Sequence, residues 1–163
     1  MSDPKIVETL RGVEFLRDIA DEYLERLAEI ARPVEFRART EMFHETDKAK
    51  DVYLIVSGNV SLYMCTQKVG CRQLMEVGAG QFVGWSPLVE RPRLSDTALT
   101  LTPTEALAIN GEKLLALCRE VPEFGFEFMR RAAMTLSDRL SATRVQLLER
   151  SGQDLPDIQV ESD

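Results

Sequence analysis

The chain has 163 residues, 44% of them hydrophobic, and a formal net charge of -7. That is the size and composition of one globular domain, and the acidic balance argues against direct contact with nucleic acid. No apolar run is long enough to span a bilayer and the first fourteen residues hold no signal-peptide core, so a cytoplasmic protein without membrane contact is expected.

Residues 1–12 read as a lead-in with no strong period. Residues 13–31 carry apolar side chains at Phe15, Leu16, Ile19, Ala20, Leu24, Leu27, Ala28 and Ile30, the spacing of an amphipathic helix that Pro33 would end. From Val34 the period changes to two. Short strands are predicted over 34–37, 40–44, 52–56, 60–65, 72–77, 97–101 and 105–109. Ser57-Gly58-Asn59 reads as a tight hairpin pairing 52–56 with 60–65. Many short strands with turns between them predict an antiparallel barrel or roll. Residues 111–120 form a short helix, and Pro122 opens a longer one reaching about residue 150. On it Met129, Ala133, Leu136, Leu140, Thr143 and Leu147 step by fours and threes, a heptad seam that predicts a homodimer. A second stripe, Phe124, Phe128 and Ala132, is expected to pack back on the roll. Residues 151–163 are an acidic tail expected to be disordered.

Three cysteines, Cys65, Cys71 and Cys118, make no even framework. Cys65 and Cys71 could face each other across a hairpin, but separate reduced thiols are the favoured reading. His44 is the sole histidine, and a metal site wants several His or Cys ligands, so no metal is predicted.

Between the strands lies Gly80-Gln81-Phe82-Val83-Gly84-Trp85-Ser86-Pro87-Leu88-Val89, followed by Arg93-Leu94-Ser95-Asp96-Thr97. Gly84 lets backbone approach closely or take a positive φ. Ser86-Pro87 reads as an N-cap and first helical residue. Outward amides and the arginine fork together suit a small anion. Arg93 could instead pair with Glu90 or Asp96 on the surface. Neighbouring strand residues face opposite ways, which would set Arg93, Ser95 and Thr97 on one face and Asp96 on the other. Tyr63, Arg139, Arg144 and His44 are read as core or solvated side chains.

This order of elements resembles the cyclic-nucleotide-binding domain of the catabolite-activator (Crp/Fnr-like) superfamily over roughly residues 13–150. Val52-Tyr53-Leu54-Ile55-Val56-Ser57-Gly58-Asn59-Val60, Gly80-Gln81-Phe82-Val83-Gly84 and Thr102-Pro103-Thr104-Glu105 carry the likeness. The Gly84-Trp85-Ser86-Pro87-Leu88 cassette is similar to that of stand-alone bacterial domains without a helix-turn-helix. The resemblance implies an α+β fold: an antiparallel β-roll, jelly-roll-like, flanked by an N-terminal helix, a short C-terminal helix and a long dimerisation helix. It implies cAMP or cGMP as the ligand class, held by Val83, Gly84, Trp85, Ser86, Leu88, Arg93, Ser95 and Thr97, with no catalytic residue. Trp85 stands where the family has a glutamate that accepts from the ribose 2'-hydroxyl. Indole has no acceptor to replace it, at a cost of about 1–3 kcal/mol. Trp85 is either a stacking platform or a plug.

Four functions compete. A sensor would bind a small anion and signal through the seam or to a protein partner. A degenerate scaffold would only dimerise or bind proteins. A transcription factor would need about three more helices after residue 150. A cupin-like enzyme would need a histidine cluster. The sensor reading is preferred.

Overall fold

The computed structural model describes residues 2–160. They divide into two compact units, with the division between Met129 and Arg130. Among the described residues, the first unit holds helices α1 (Pro4–Arg11), α2 (Asp21–Ala28) and α3 (Gly111–Glu120), and eight strands. The strands are β1 (Ala31–Phe36), β2 (Glu41–Phe43), β3 (Asp51–Ser57), β4 (Val60–Thr66), β5 (Gly70–Val77), β6 (Phe82–Val83), β7 (Thr97–Thr100) and β8 (Thr104–Asn110). The long helix α4 (Pro122–Ser151) runs into the second unit, where a 3-10 turn (Gly152–Asp154) follows it. The strands form two antiparallel four-stranded sheets, β1-β8-β3-β6 and β2-β7-β4-β5. The chain is therefore the α+β roll expected from its pattern.

The N-terminal region departs from that pattern. The supposed lead-in is helix α1, because Pro4 suits a first helical position and the Asp3 carboxylate accepts from the Lys5 amide at 2.9 Å. Val7 and Leu10 supply its buried face. The single helix expected over 13–31 is broken: a 3-10 turn (Glu14–Leu16) is followed by Asp18 at φ 65, and α2 starts only at Asp21. Asp tolerates the left-handed region better than most residues. Pro33 lies inside β1, opposite Leu107, which an edge strand permits because it pairs on one side only.

The segments 52–56 and 60–65 are strands but not partners. β3 pairs with β8 and β6, whereas β4 pairs with β5 and β7. Ser57-Gly58-Asn59 thus carries the chain from one sheet to the other. Gly58 has φ +101, and a Cβ there would lie 2.5 Å from Thr104 Oγ1 and 2.6 Å from the Pro103 carbonyl. The corner closes on the turn before β8, where the Asn59 amide donates to Thr102 Oγ1 at 2.9 Å and the Leu101 amide to the Asn59 carbonyl at 2.8 Å.

The reading of Cys65 and Cys71 as separate thiols is also corrected. The β4–β5 ladder sets them directly opposite each other, with Cα atoms 3.9 Å apart, and they form a disulfide. Cys118 is half-buried and unbonded, and burial pushes its thiol above the ordinary value.

Inside the roll Met42, Phe43, Ile55, Val60, Leu62, Val77, Val83, Leu94, Ala98 and Ala106 form one apolar cluster. A separate aromatic cluster ties the helices to the roll. Phe15 meets Phe82 of β6 and Phe128 of α4 edge-on, each at 5.1 Å, and Phe124 joins Phe128 at 5.7 Å. Phe124, Phe128 and Ala132 are all buried.

Gly58→Ala should destabilise the protein by about 2 kcal/mol or more, from the positive φ and the collision with the 103–104 backbone. Chemical denaturation checks this; an unchanged midpoint would show that the corner relaxes.

Candidate functional site

The residues at 82–97 are organised by one close approach. β6 pairs with β3 through Tyr53↔Val83 and Leu54↔Phe82. Gly84 then turns at φ +78, with a site for Cβ only 3.0 Å from the Asp51 carbonyl and 3.3 Å from the Phe43 ring. A larger residue would push the following segment off the start of β3.

The short helix after Gly84 is a 3-10 turn (Ser86–Val89), and the N-cap position belongs to Trp85, not to Ser86 as expected. The Leu88 amide donates to the Trp85 carbonyl at 2.9 Å, and the Arg91 amide to the Ser86 carbonyl at 3.1 Å. Glu90, at φ 56, closes the turn and pairs with Arg119 at 2.8 Å. Ser86 is 1% exposed, and its Oγ has no hydrogen-bond partner among the described residues. A hydroxyl in that position costs free energy until something pairs with it. Val83 and Leu88 are buried core residues. Trp85 is half-exposed, with the Arg91 guanidinium over its ring at 5.8 Å. The sequence reading missed Arg91; its signal was a cation six residues from the only indole.

Arg93, Ser95 and Thr97 do not share one strand face. Ser95 and Asp96 form a bend and β7 begins at Thr97, so the period of two does not reach back to Arg93. Thr97 is fully buried and its Oγ1 accepts from the Glu45 amide at 2.9 Å. Ser95 is half-exposed. Arg93 is exposed and bridges Lys48 through the backbone, while its guanidinium donates to the Thr46 carbonyl at 3.3 Å. Among the described residues Arg93 forms no salt bridge, and Glu90 is taken by Arg119. Arg93 therefore keeps most of its guanidinium fork unspent.

A second feature lies on the roll's inner wall. Tyr53 stacks on Phe43 with centroids 5.9 Å apart and planes at 22°, and meets Phe36 at 6.2 Å. Beside it the buried Asp51 holds Arg32 through a 2.8 Å ion pair. Burial, and then the Asp51 carboxylate, push the Tyr53 phenol above its ordinary value. Tyr63 donates to Glu41 at 2.9 Å, away from the 84–93 segment in sequence but on the strand next to Thr97.

On α4 the predicted seam is largely solvent-facing in the single chain. Met129 and Leu136 are half-buried, whereas Ala133, Leu140, Thr143 and Leu147 are exposed, Leu140 at 52% and Leu147 at 49%. Among the described residues no helix is long and apolar enough to cross a membrane, and no group of three His, Cys, Asp or Glu could hold a metal ion.

A model of the cyclic nucleotide-binding domain family matches residues 33–121. Over 81 residues, half of this chain, the sequence is 32% identical to the cyclic AMP receptor protein of Thermus thermophilus. That match spans 38% of the relative's length. A crystal structure of a cyclic nucleotide-binding domain from Methylobacillus flagellatus superposes with a TM-score of 0.79 at 19% identity, over 95% of this chain and 85% of that one. The catabolite activator protein of Thermus thermophilus superposes with a TM-score of 0.68 at 25% identity, over 82% of this chain and 61% of that one.

Tyr53 also generates a pH dependence. An unfolded tyrosine loses its proton near pH 10, while the folded one holds it to higher pH. Its contribution to stability is complete below about pH 10 and is lost as pH rises through the folded value. Tyr53→Phe should flatten the alkaline limb of a stability–pH curve; an unchanged limb would assign that loss to other groups.

Proposed function

We propose, since this chain belongs to the cyclic nucleotide-binding domain family, that it is a non-catalytic regulatory domain that binds a small anionic ligand and signals through its long helix. The observation that carries this reading is a set of unspent donors within residues 84–93. Among the described residues the exposed Arg93 guanidinium forms no salt bridge and the buried Ser86 hydroxyl has no hydrogen-bond partner. An arginine fork and an unused donor are what a phosphate needs.

A cyclic nucleotide such as cAMP or cGMP is the first candidate ligand. Val83 and Leu88 form the apolar backing, Gly84 admits the close approach, and Ser86, Arg93 and Ser95 supply donors. Thr97 is engaged with Glu45 and acts by holding the 44–46 loop. Trp85 offers its face to a base in place of the carboxylate that would bind a ribose hydroxyl. Arg91 already stacks on that ring, so a flat ligand would exchange one π contact for another.

Output passes through α4. The exposed run of Ala133, Leu140, Thr143 and Leu147 at heptad spacing supports pairing with a second copy, or with a partner protein that presents a similar helix. Ligand binding then matters only if it favours one arrangement of that helix over another.

A second reading has its own observation. The roll's interior holds the Phe43–Tyr53 stack together with Met42 and Leu94. Side chains that occupy the ligand's volume would leave a dimerising scaffold that binds no nucleotide.

Calorimetric titration with cAMP and cGMP separates the two. The sensor reading expects saturable heat that Arg93→Ala weakens by about 1.5–3 kcal/mol, roughly ten- to a hundredfold. No heat from a folded protein favours the scaffold. Leu140→Asp should convert a dimer to a monomer in sedimentation while leaving the melting of the roll nearly unchanged; a wild-type chain that sediments as a monomer at all concentrations would remove the seam from the scheme.

A further inference from the structure

We propose that the Cys65–Cys71 pair is a reversible thiol–disulfide site on the β4–β5 hairpin, reduced by dithiols and re-formed by disulfide oxidants, and that its state sets the order of that hairpin's tip. The inference rests on where the pair lies in the ladder. β4 is paired on both sides only as far as Tyr63, where the β7 ladder ends at Thr97. Beyond that point Met64↔Arg72, Cys65↔Cys71 and Thr66↔Gly70 pair only with each other. A two-stranded ribbon without a third strand or a packed face is marginal in water. The ribbon's own apolar side chains do not rescue it, since Met64 and Val69 are exposed at 40% and 50%. The covalent bond ties the two strands of the tip together.

Three further observations make the bond a site for exchange as well as a staple. Cys71 is exposed and Cys65 only half-buried, so a thiolate can reach a sulfur without unfolding the roll. Neither cysteine belongs to the apolar cluster inside the roll, which takes from these strands only Val60, Leu62 and Val77 with Met75 beside them. Breaking the bond therefore leaves the core intact. The two cysteines are six apart in sequence and face each other in register, so the reduced thiols stay close and can re-form the bond. The surroundings are basic: the Arg72 guanidinium is held on the Cys71 carbonyl at 2.8 Å, and Lys68 is in the connecting turn. A cation beside the pair favours a departing thiolate.

The exchange balances as follows. One thiolate of a dithiol attacks a protein sulfur, the Cys65–Cys71 bond breaks, and a mixed disulfide forms. The second thiol of the reductant then attacks that mixed disulfide, leaving two protein thiols and an oxidised, cyclic or protein-bound disulfide. Two electrons pass to the protein, and both protons end on Cys65 and Cys71. A small-molecule disulfide runs the reaction backward.

The experiment uses the full chain without denaturant. The protein is poised first in oxidised glutathione and then in dithiothreitol, and at each poise free thiols are alkylated and located by mass spectrometry, with Cys118 read separately. Amide hydrogen exchange is followed in parallel. Both cysteines should be blocked under the oxidant and both alkylated under the reductant. Exchange across residues 64–72 should rise by roughly tenfold or more on reduction, while amides of β3 and β8 keep their protection. The double variant Cys65→Ser with Cys71→Ser should show the fast pattern at either poise. Alkylation under the oxidant, reduction only in denaturant, or unchanged exchange at 64–72 would each overturn the proposal.

Discussion

Phe15 is the side chain on which the arrangement of this domain turns. It sits in the 3-10 turn between α1 and α2, and its amide donates to the Gly80 carbonyl at 3.0 Å. Its ring touches Phe82 on one side and Phe128 on the other. Phe82 lies two residues before the Gly84 turn, and Phe128 lies in the second turn of α4. Edge-to-face aromatic pairs add about 0.5–1.5 kcal/mol each beyond the area they bury. One ring thus joins the candidate ligand segment to the helix proposed to carry the output. Coupling through that ring requires two arrangements of the helix whose balance the ligand shifts.

The polar features of the 84–97 segment are ordered by how much they are already used. Thr97 and Glu90 are engaged with protein partners. Trp85 is half engaged, through Arg91. The Ser86 hydroxyl has no partner among the described residues, and the Arg93 guanidinium holds the Thr46 carbonyl. Unspent donors and a missing acceptor together fit an anion better than a ribose. The Trp85 indole carries one N–H donor and no acceptor, so it cannot take a hydrogen bond from a hydroxyl.

Much of the architecture was legible from local signals. Seven of the strand periods and the α3–α4 pair depend on residues close together in sequence and appeared close to where the pattern put them, whereas the short β6 gave no strand signal and the Gly58 turn did not form its hairpin. Other features were not local. The partner of β4 depends on which sheet receives the chain after Gly58, and a turn motif reads the same whether it folds back or crosses over. The Cys65–Cys71 bond depends on ladder register, set by an irregularity between Leu62 and Tyr63 that no composition rule reveals. The orientation of Arg93 relative to Thr97 depends on a bend at Ser95–Asp96, which breaks the alternation a strand would have imposed.

By itself, the sequence determined that this chain folds as a roll with a glycine-led cassette, an arginine behind it and a long amphipathic helix, because periodicity and turn chemistry are properties of neighbouring residues. Only the tertiary structure decided which strands share a sheet, that two cysteines meet, that the Ser86 hydroxyl is buried without a partner among the described residues and that Arg93 is solvent-facing. Those are facts of burial and register, and both are set by contacts between segments far apart in the chain.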